Sequence, residues 1–235
     1  YYDGGINMMQ VIARTQGSHL FDELAAGTKT ACETHFANVD KFNKAESAIS
    51  PDLLAEKNPD VVETKPIIDG TTWNDFSYSN QYISIANTAG RDLGITMYPT
   101  TSDATTQPMF LKPSQFFAVS RDAGENEAEA VKVVNYLLNS EDANKILLGE
   151  RGVPASSVVA SAIAPLQDET AQVVTKYVND VVTPNCSAIS PAIPDGANEV
   201  YDYYNQLVDK ILYGQMTAQE AAEDLFKMGN QIMSR

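Results

Sequence analysis

Cysteine, histidine and tryptophan are the scarcest chemistry-bearing residues of this 235-residue chain, at two, two and one. Cys32 and Cys186 form neither a CxxC spacing nor a Cys/His cluster, which excludes a zinc finger and a dithiol redox motif and leaves no metal site to expect. In an oxidising compartment they could pair; two separate buried thiols fit the sequence as well. His19 and His35 are the only imidazoles available as bases, and no GxSxG, HExxH, P-loop or GxGxxG occurs. The common serine hydrolases, zinc proteases and nucleotide folds therefore lose their signatures. Positive charge is short too: 16 basic residues stand against 31 acidic ones, for a formal charge of −15. Such a surface repels nucleic acid and anionic lipid head groups, so neither is expected as a partner. No run approaches the roughly 18 apolar residues of a membrane span, and an exported product would carry its leader outside these residues.

What is present is ordinary for a folded protein, with 43% apolar and 9% aromatic residues, enough for one large or two small domains. The opening stretch reads as a turn at Asp3-Gly4-Gly5 and two short helices, the second capped by Ser18 and turning Leu20, Phe21 and Leu24 inward. From Thr28 to Gly70 the text is polar and punctuated by Ser50-Pro51 and Asn58-Pro59, which predicts short helices and loops. After Trp73, FSY reads as a short strand, Ser79 as the cap of a helix carrying Tyr82, Ile83, Ala86 and Ala89 inward, and Gly90 as its stop. GITMYP and FLKPSQFFAVS read as buried strands, the latter buried on both faces around Phe116, Phe117, Ala118 and Val119. ENEAEAVKVVNYLLN predicts a helix with Ala128, Val131, Val134, Leu137 and Leu138 on one stripe, then a second helix capped by Ser140 and ended at Gly149. Further helices follow around 170–182 and, with Val200, Tyr204, Leu207, Val208 and Ile211 inward, after PAIPDGANE. Thr217 and Glu220 form a capping box for the last helix, whose buried edge is Ala221, Leu225, Met228 and Ile232. Strands alternating with helices predict α/β layers, without an internal repeat.

The chemistry on offer is recognition rather than catalysis. Trp73, Tyr78, Ser79, Asn80 and Gln81 combine flat rings, which lie against the apolar faces of sugars, with a hydroxyl and amides that exchange hydrogen bonds with sugar hydroxyls. A core role for Trp73 and local backbone capping by Asn80 explain the same residues without a ligand. Asp195, Gly196 and Glu199 stand at a helix start where a ligand could meet free N–H groups, and capping explains Asp195 equally. Tyr201 and Tyr203 leave the apolar stripe on which Tyr204 sits.

The order WNDFSYSNQ, FLKPSQFFAVS, LLNSEDANKILLGERGVPAS, PAIPDGANEV and GQMTAQEAAEDLF resembles the extracellular solute-binding proteins of ABC importers, in the carbohydrate-binding family that includes maltose-binding protein. The resemblance runs from about Trp73 to the C-terminus. It implies a periplasmic-binding-protein-like type II fold, in which two α/β lobes close on a sugar. The chain then looks like an N-terminally truncated fragment, mainly of the second (C-terminal) lobe: residues 1–109 in that lobe, 110–150 as hinge strand and helices of the first, and 151–235 returning to the second. The implied function is capture of a carbohydrate, such as an oligosaccharide, for delivery to a membrane permease. The family's ligand-binding role maps onto Trp73, Tyr78, Ser79, Asn80 and Gln81, and onto Asp195, Gly196 and Glu199, while Arg151 and Pro154 map to scaffold. No catalytic residue, cofactor or metal is implied. Location would be extracellular or periplasmic, on a bacterial lipoprotein or secreted protein, with the membrane met only through a leader or lipid anchor. Two other classes fit the same residues: a glycan hydrolase using a pair of the many carboxylates, and an isolated lobe serving as a structural or interaction module.

Overall fold

The computed structural model describes residues 5–26, 29–57, 61–113, 115–149 and 152–235. In chain order its α-helices are α1 (Gly5–Thr15), α2 (Leu20–Ala26), α3 (Thr30–Lys44), α4 (Pro51–Glu56), α5 (Tyr82–Ala89), α6 (Glu127–Asn139), α7 (Glu141–Leu147), α8 (Ser157–Ile163), α9 (Glu169–Lys176), α10 (Ala197–Leu212) and α11 (Ala218–Met233). The chain divides into two compact units. The first comprises Tyr1–Ser77, Tyr98–Phe110 and Asn185–Arg235, the second Tyr78–Met97 and Leu111–Pro184.

In the first unit α1, α2, α3, α10 and α11 enclose one core, in which Met9, Leu24, Phe36, Val200, Tyr204, Leu207, Leu225 and Ile232 are buried. The predicted stripe of α10 is buried at every position. That of α11 holds at Ala221, Leu225 and Ile232, with Met228 partly covered. The Thr217–Glu220 box closes as expected: the Glu220 carboxylate accepts from the Thr217 N–H at 2.9 Å, and the Thr217 hydroxyl oxygen accepts from the Glu220 N–H at 3.2 Å. Glu220 is held below its ordinary pKa by the Thr217 N–H and by the Thr217 hydroxyl, which donates to the same carboxylate at 2.7 Å.

The largest departure from the expected helices is α3. Its polar text hides Ala31, Cys32, His35, Phe36 and Val39 on one stripe, all buried, so a fifteen-residue helix replaces the short helices and loops predicted there. Burial drives the Cys32 thiol up to about 12, and Cys32 and Cys186 are not joined in a disulfide. Within that core the His35 Nε2 meets the Tyr204 hydroxyl at 2.7 Å. Burial pushes the His35 pKa down to about 3, so the ring is neutral at pH 7. Ser18 is not the cap of α2: the helix starts at Leu20, and the His19 carbonyl accepts from the Glu23 N–H at 2.9 Å. The Asp3-Gly4 part of the predicted first turn, Asn58-Pro59 and Arg151 lie outside the described residues.

In the second unit Ile85, Ala143, Val159, Ile163, Ala171, Val174, Tyr177 and Val182 are buried. Gly90 ends α5 in the left-handed region at φ 61°, as expected. Ser140 caps α7, its oxygen accepting from the Ala143 N–H at 3.3 Å, and the turn out of α7 passes through Leu148 and Gly149 at positive φ. α6 forms where its periodicity places it, yet none of its residues is buried. Val131, Val133, Tyr136 and Leu138 face solvent.

The predicted strands FSY, GITMYP and FLKPSQFFAVS have no ladder among the described residues, where the only pairing is an isolated parallel bridge between Phe110 and Ser187. Phe116 is 81% exposed and Phe117 48%, against the expectation of burial on both faces. A strand needs partners from elsewhere in the chain, and apolar content does not supply them.

Candidate functional site

The segment 65–77 of the first unit is a sequence of turns held by charge. Gly70, at φ 81°, lets the chain reverse after Asp69. The Asp69 carboxylate accepts from the Thr71 N–H at 3.0 Å and the Thr71 hydroxyl at 2.6 Å, and pairs with Lys57. Lys57 and Thr71 hold that carboxyl well below the usual carboxylate range. Beneath the loop, Lys65 Nζ lies 3.2 Å from Asp75, with both side chains 8% exposed. Ser77 donates to the same carboxylate, and Lys65 Nζ donates to the Ser77 hydroxyl at 3.3 Å. The Thr72 N–H and hydroxyl bond to the carbonyls of Pro66 and Asn74.

On this braced loop Trp73 is 88% exposed. The core reading of the chain's one tryptophan is thereby excluded, and a rigid loop presents a flat apolar ring to solvent. Just beyond, Phe76 stacks on Tyr98 at 5.2 Å between centroids.

Tyr78 to Gln81 belong to the second unit. Tyr78 is half exposed, with Lys112 Nζ 5.1 Å from its ring centroid, a cation over a π face. Ser79 opens a 3₁₀ turn, Ser79–Gln81, and its hydroxyl is not the cap. The Gln81 side-chain oxygen accepts from the Tyr78 N–H at 3.2 Å, reaching back to the residue that precedes the turn. Asn80 is exposed and lines a hollow of about 20 Å³ with Ile83, Gly149, Gly152, Gln167 and Thr175. That is room for about one water. Gln167 is buried there, donating to the Leu148 carbonyl at 3.0 Å and accepting from the Thr175 hydroxyl at 3.0 Å.

Asp195, Gly196 and Glu199 stand in the first unit at the start of α10. No side chain caps this helix. Gly196 is the N-cap at φ 84°, and a Cβ there would lie 2.5 Å from Ile232 Cγ2. Close packing explains this glycine. Glu199 pairs with Arg235 at 3.2 Å on the surface, and Asp195 is exposed. The sequence-predicted residues thus fall into two groups, Trp73 with Asp195, Gly196 and Glu199 in one unit and Tyr78, Ser79, Asn80 and Gln81 in the other.

Sequence reasoning passed over a polar hub on α1. Arg14 is 2% exposed, yet it is a cation on a stretch that reads as scaffold. Its Nε donates to the Pro108 carbonyl at 2.9 Å, one terminal nitrogen to Ser190 Oγ at 2.7 Å, and the other to Ser187 Oγ at 2.5 Å and the Ala188 carbonyl at 2.8 Å. The guanidinium also lies 4.7 Å from the Phe110 ring centroid. Desolvation lowers the Arg14 pKa from its ordinary value. Beside the hub is a cleft of about 190 Å³ lined by Gln10, His19, Phe21, Ser190, Ile193 and Met233 among others. His19 Nδ1 sits 3.1 Å from Ser190 Oγ. The described residues contain no group of three or more His, Cys, Asp or Glu placed to hold a metal ion, and among them no helix is long and apolar enough to cross a membrane.

No protein-family model matches the chain. Among solved structures, it is similar to an extracellular solute-binding protein family 1 member from Alicyclobacillus acidocaldarius subsp. acidocaldarius DSM 446, at TM-score 0.82 and 22% sequence identity. The match covers 98% of this chain and 59% of that one. The chain thus has the periplasmic-binding-protein-like fold and spans less than two thirds of the length of the protein it matches.

Proposed function

We propose that this chain is the solute-binding component of an ABC importer, or part of one, and that it captures a carbohydrate for delivery to a membrane permease outside the cytoplasm. The observation that carries the reading is Trp73: a ring 88% exposed on a loop fixed by a buried ion pair, in a chain with the solute-binding fold. An indole held this way stacks on the apolar face of a pyranose without losing loop entropy on binding. In the other unit Tyr78 offers a ring of its own and Asn80 an exposed amide, each a candidate taken separately. Ser79 and the Gln81 amide nitrogen are further candidates, whereas Asp195 and Glu199 are weaker ones and Gly196 serves packing. On this reading the protein works by binding and change of shape, without a catalytic residue.

The lobe assignment belongs to the same proposal, with residues 110–150 in the first lobe and 1–109 and 151–235 in the second. The bare apolar face of α6 fits a lobe completed by further polypeptide of this fold. Trp73 emission and titration calorimetry against a panel of oligosaccharides test the function. A saturable signal for at least one sugar, lost in Trp73→Ala, is expected. Silence across the panel overturns the carbohydrate reading.

A further inference from the structure

Arg14 touches two stretches of chain that lead directly to passages between the units. Residues 107–110 end at the passage from Phe110 to Leu111, and 187–190 begin just after the passage from Pro184 to Asn185. The two stretches are already joined by the Phe110–Ser187 bridge, in which the Ser187 N–H donates to the Met109 carbonyl at 3.0 Å. The Ser187 hydroxyl donates to the Gln107 carbonyl at 2.7 Å. Arg14 adds a bond to Pro108 on one stretch and bonds to Ser187, Ala188 and Ser190 on the other, and lays its plane on Phe110.

No ion pair to a carboxylate is formed by this cation among the described residues; carbonyl and hydroxyl oxygens accept its hydrogen bonds, and the Phe110 ring lies beside it. Those oxygens compensate the charge only while both stretches keep their places, because each supplies part of the shell. A planar fork with donors at fixed angles reads that arrangement in a way an ammonium cannot.

We propose that Arg14 is a positioning residue for ligand capture: it locks 107–110 and 187–190 into one braced pair at the edge of the first unit. The braced pair carries Ser190 to the wall of the cleft of about 190 Å³ within the first unit, so loosening the brace alters that wall. The effect on capture rests on the solute-binding reading; the brace itself does not.

Hydrogen exchange read by mass spectrometry at peptides covering Ser187, in the protein and in Arg14→Lys and Arg14→Met, tests the brace. Val200→Ala serves as a control for general loss of stability. Protection at Ser187 falls at least about tenfold in both Arg14 variants beyond what the control shows. The lysine does not restore it, since charge without the fork is insufficient. Unchanged protection, or full rescue by lysine, overturns the proposal. Sugar affinity, measured on the same variants, falls by about tenfold or more. Affinity unchanged while protection is lost overturns the positioning role. A wild-type protein that binds no sugar sinks the carbohydrate reading, and the exchange result then decides the brace alone.

Discussion

Lys65 and Asp75 lie 3.2 Å apart beneath the loop that displays Trp73, both withdrawn from water. A buried pair is costly to half-remove, because the remaining charge keeps its desolvation penalty without its partner. Asp75→Asn is therefore expected to destabilise the first unit by about 3–5 kcal/mol in urea unfolding. Trp73 anisotropy should fall at the same time, as the loop loses its brace. A change in stability with unaltered anisotropy would separate the pair from the loop.

Trp73 itself should behave oppositely. At 88% exposure it contributes little to the core, so Trp73→Ala should alter stability by no more than about 0.5 kcal/mol. Its emission in the free protein should resemble that of a solvated indole and be readily quenched by acrylamide. Binding of a stacking sugar should shield it. A loss of several kcal/mol in the variant would return the ring to a structural role.

His35 gives the first unit an acid sensitivity of definite sign. Its folded pKa is depressed from 6.5 to about 3 by burial against Tyr204 and Phe36. The unfolded chain then binds a proton that the folded one refuses, so stability is fully present above pH 6.5 and falls as pH drops towards 3. The loss between those limits is roughly 5 kcal/mol at most. Thermal unfolding at several pH values checks it, and His35→Gln should flatten the slope even if it lowers stability throughout.

Helices whose cues are local were legible in the sequence. Thr217, Glu220 and Ser140 cap as their spacing dictates, and the α10 stripe is buried to its last member, since period and cap are properties of neighbouring residues. α3 was hidden because its stripe of Ala31, Cys32, His35, Phe36 and Val39 is interrupted by an imidazole and set in a polar, charged stretch. The strands failed for the opposite reason: FLKPSQFFAVS is apolar enough, yet a ladder depends on distant partners. At the candidate site, residue types pointed to Trp73 and Tyr78, but exposure is a tertiary property and no pattern in the text reveals it. Arg14 had no signal at all, being one arginine on a helix that reads as amphipathic scaffold.

Gly196 separates a packing role from a ligand role. A methyl group there would stand 2.5 Å from Ile232 Cγ2, and φ 84° is strained for any residue with a Cβ. Gly196→Ala should cost about 1–3 kcal/mol through overpacking and backbone strain combined. Sugar affinity at a temperature well below the melting transition should stay within about twofold of the parent. A large affinity loss in a variant of normal stability would put Gly196 back at the ligand.

α6 makes the sharpest contrast with the first unit. Leu207 is fully enclosed, and Leu207→Ala should cost about 2–5 kcal/mol, as core truncations do. Val131 sits on the predicted stripe of α6 but is 51% exposed, so Val131→Glu should cost less than about 0.5 kcal/mol in these 235 residues. Its charge would also suppress binding of a dye that reports apolar surface. If further polypeptide of the solute-binding fold completes this unit, the same substitution placed in the completed protein becomes a charge buried without a partner, and its cost should rise to several kcal/mol. Equal, small costs in both settings would mean that α6 keeps its apolar face in water, and the lobe assignment would have to be abandoned.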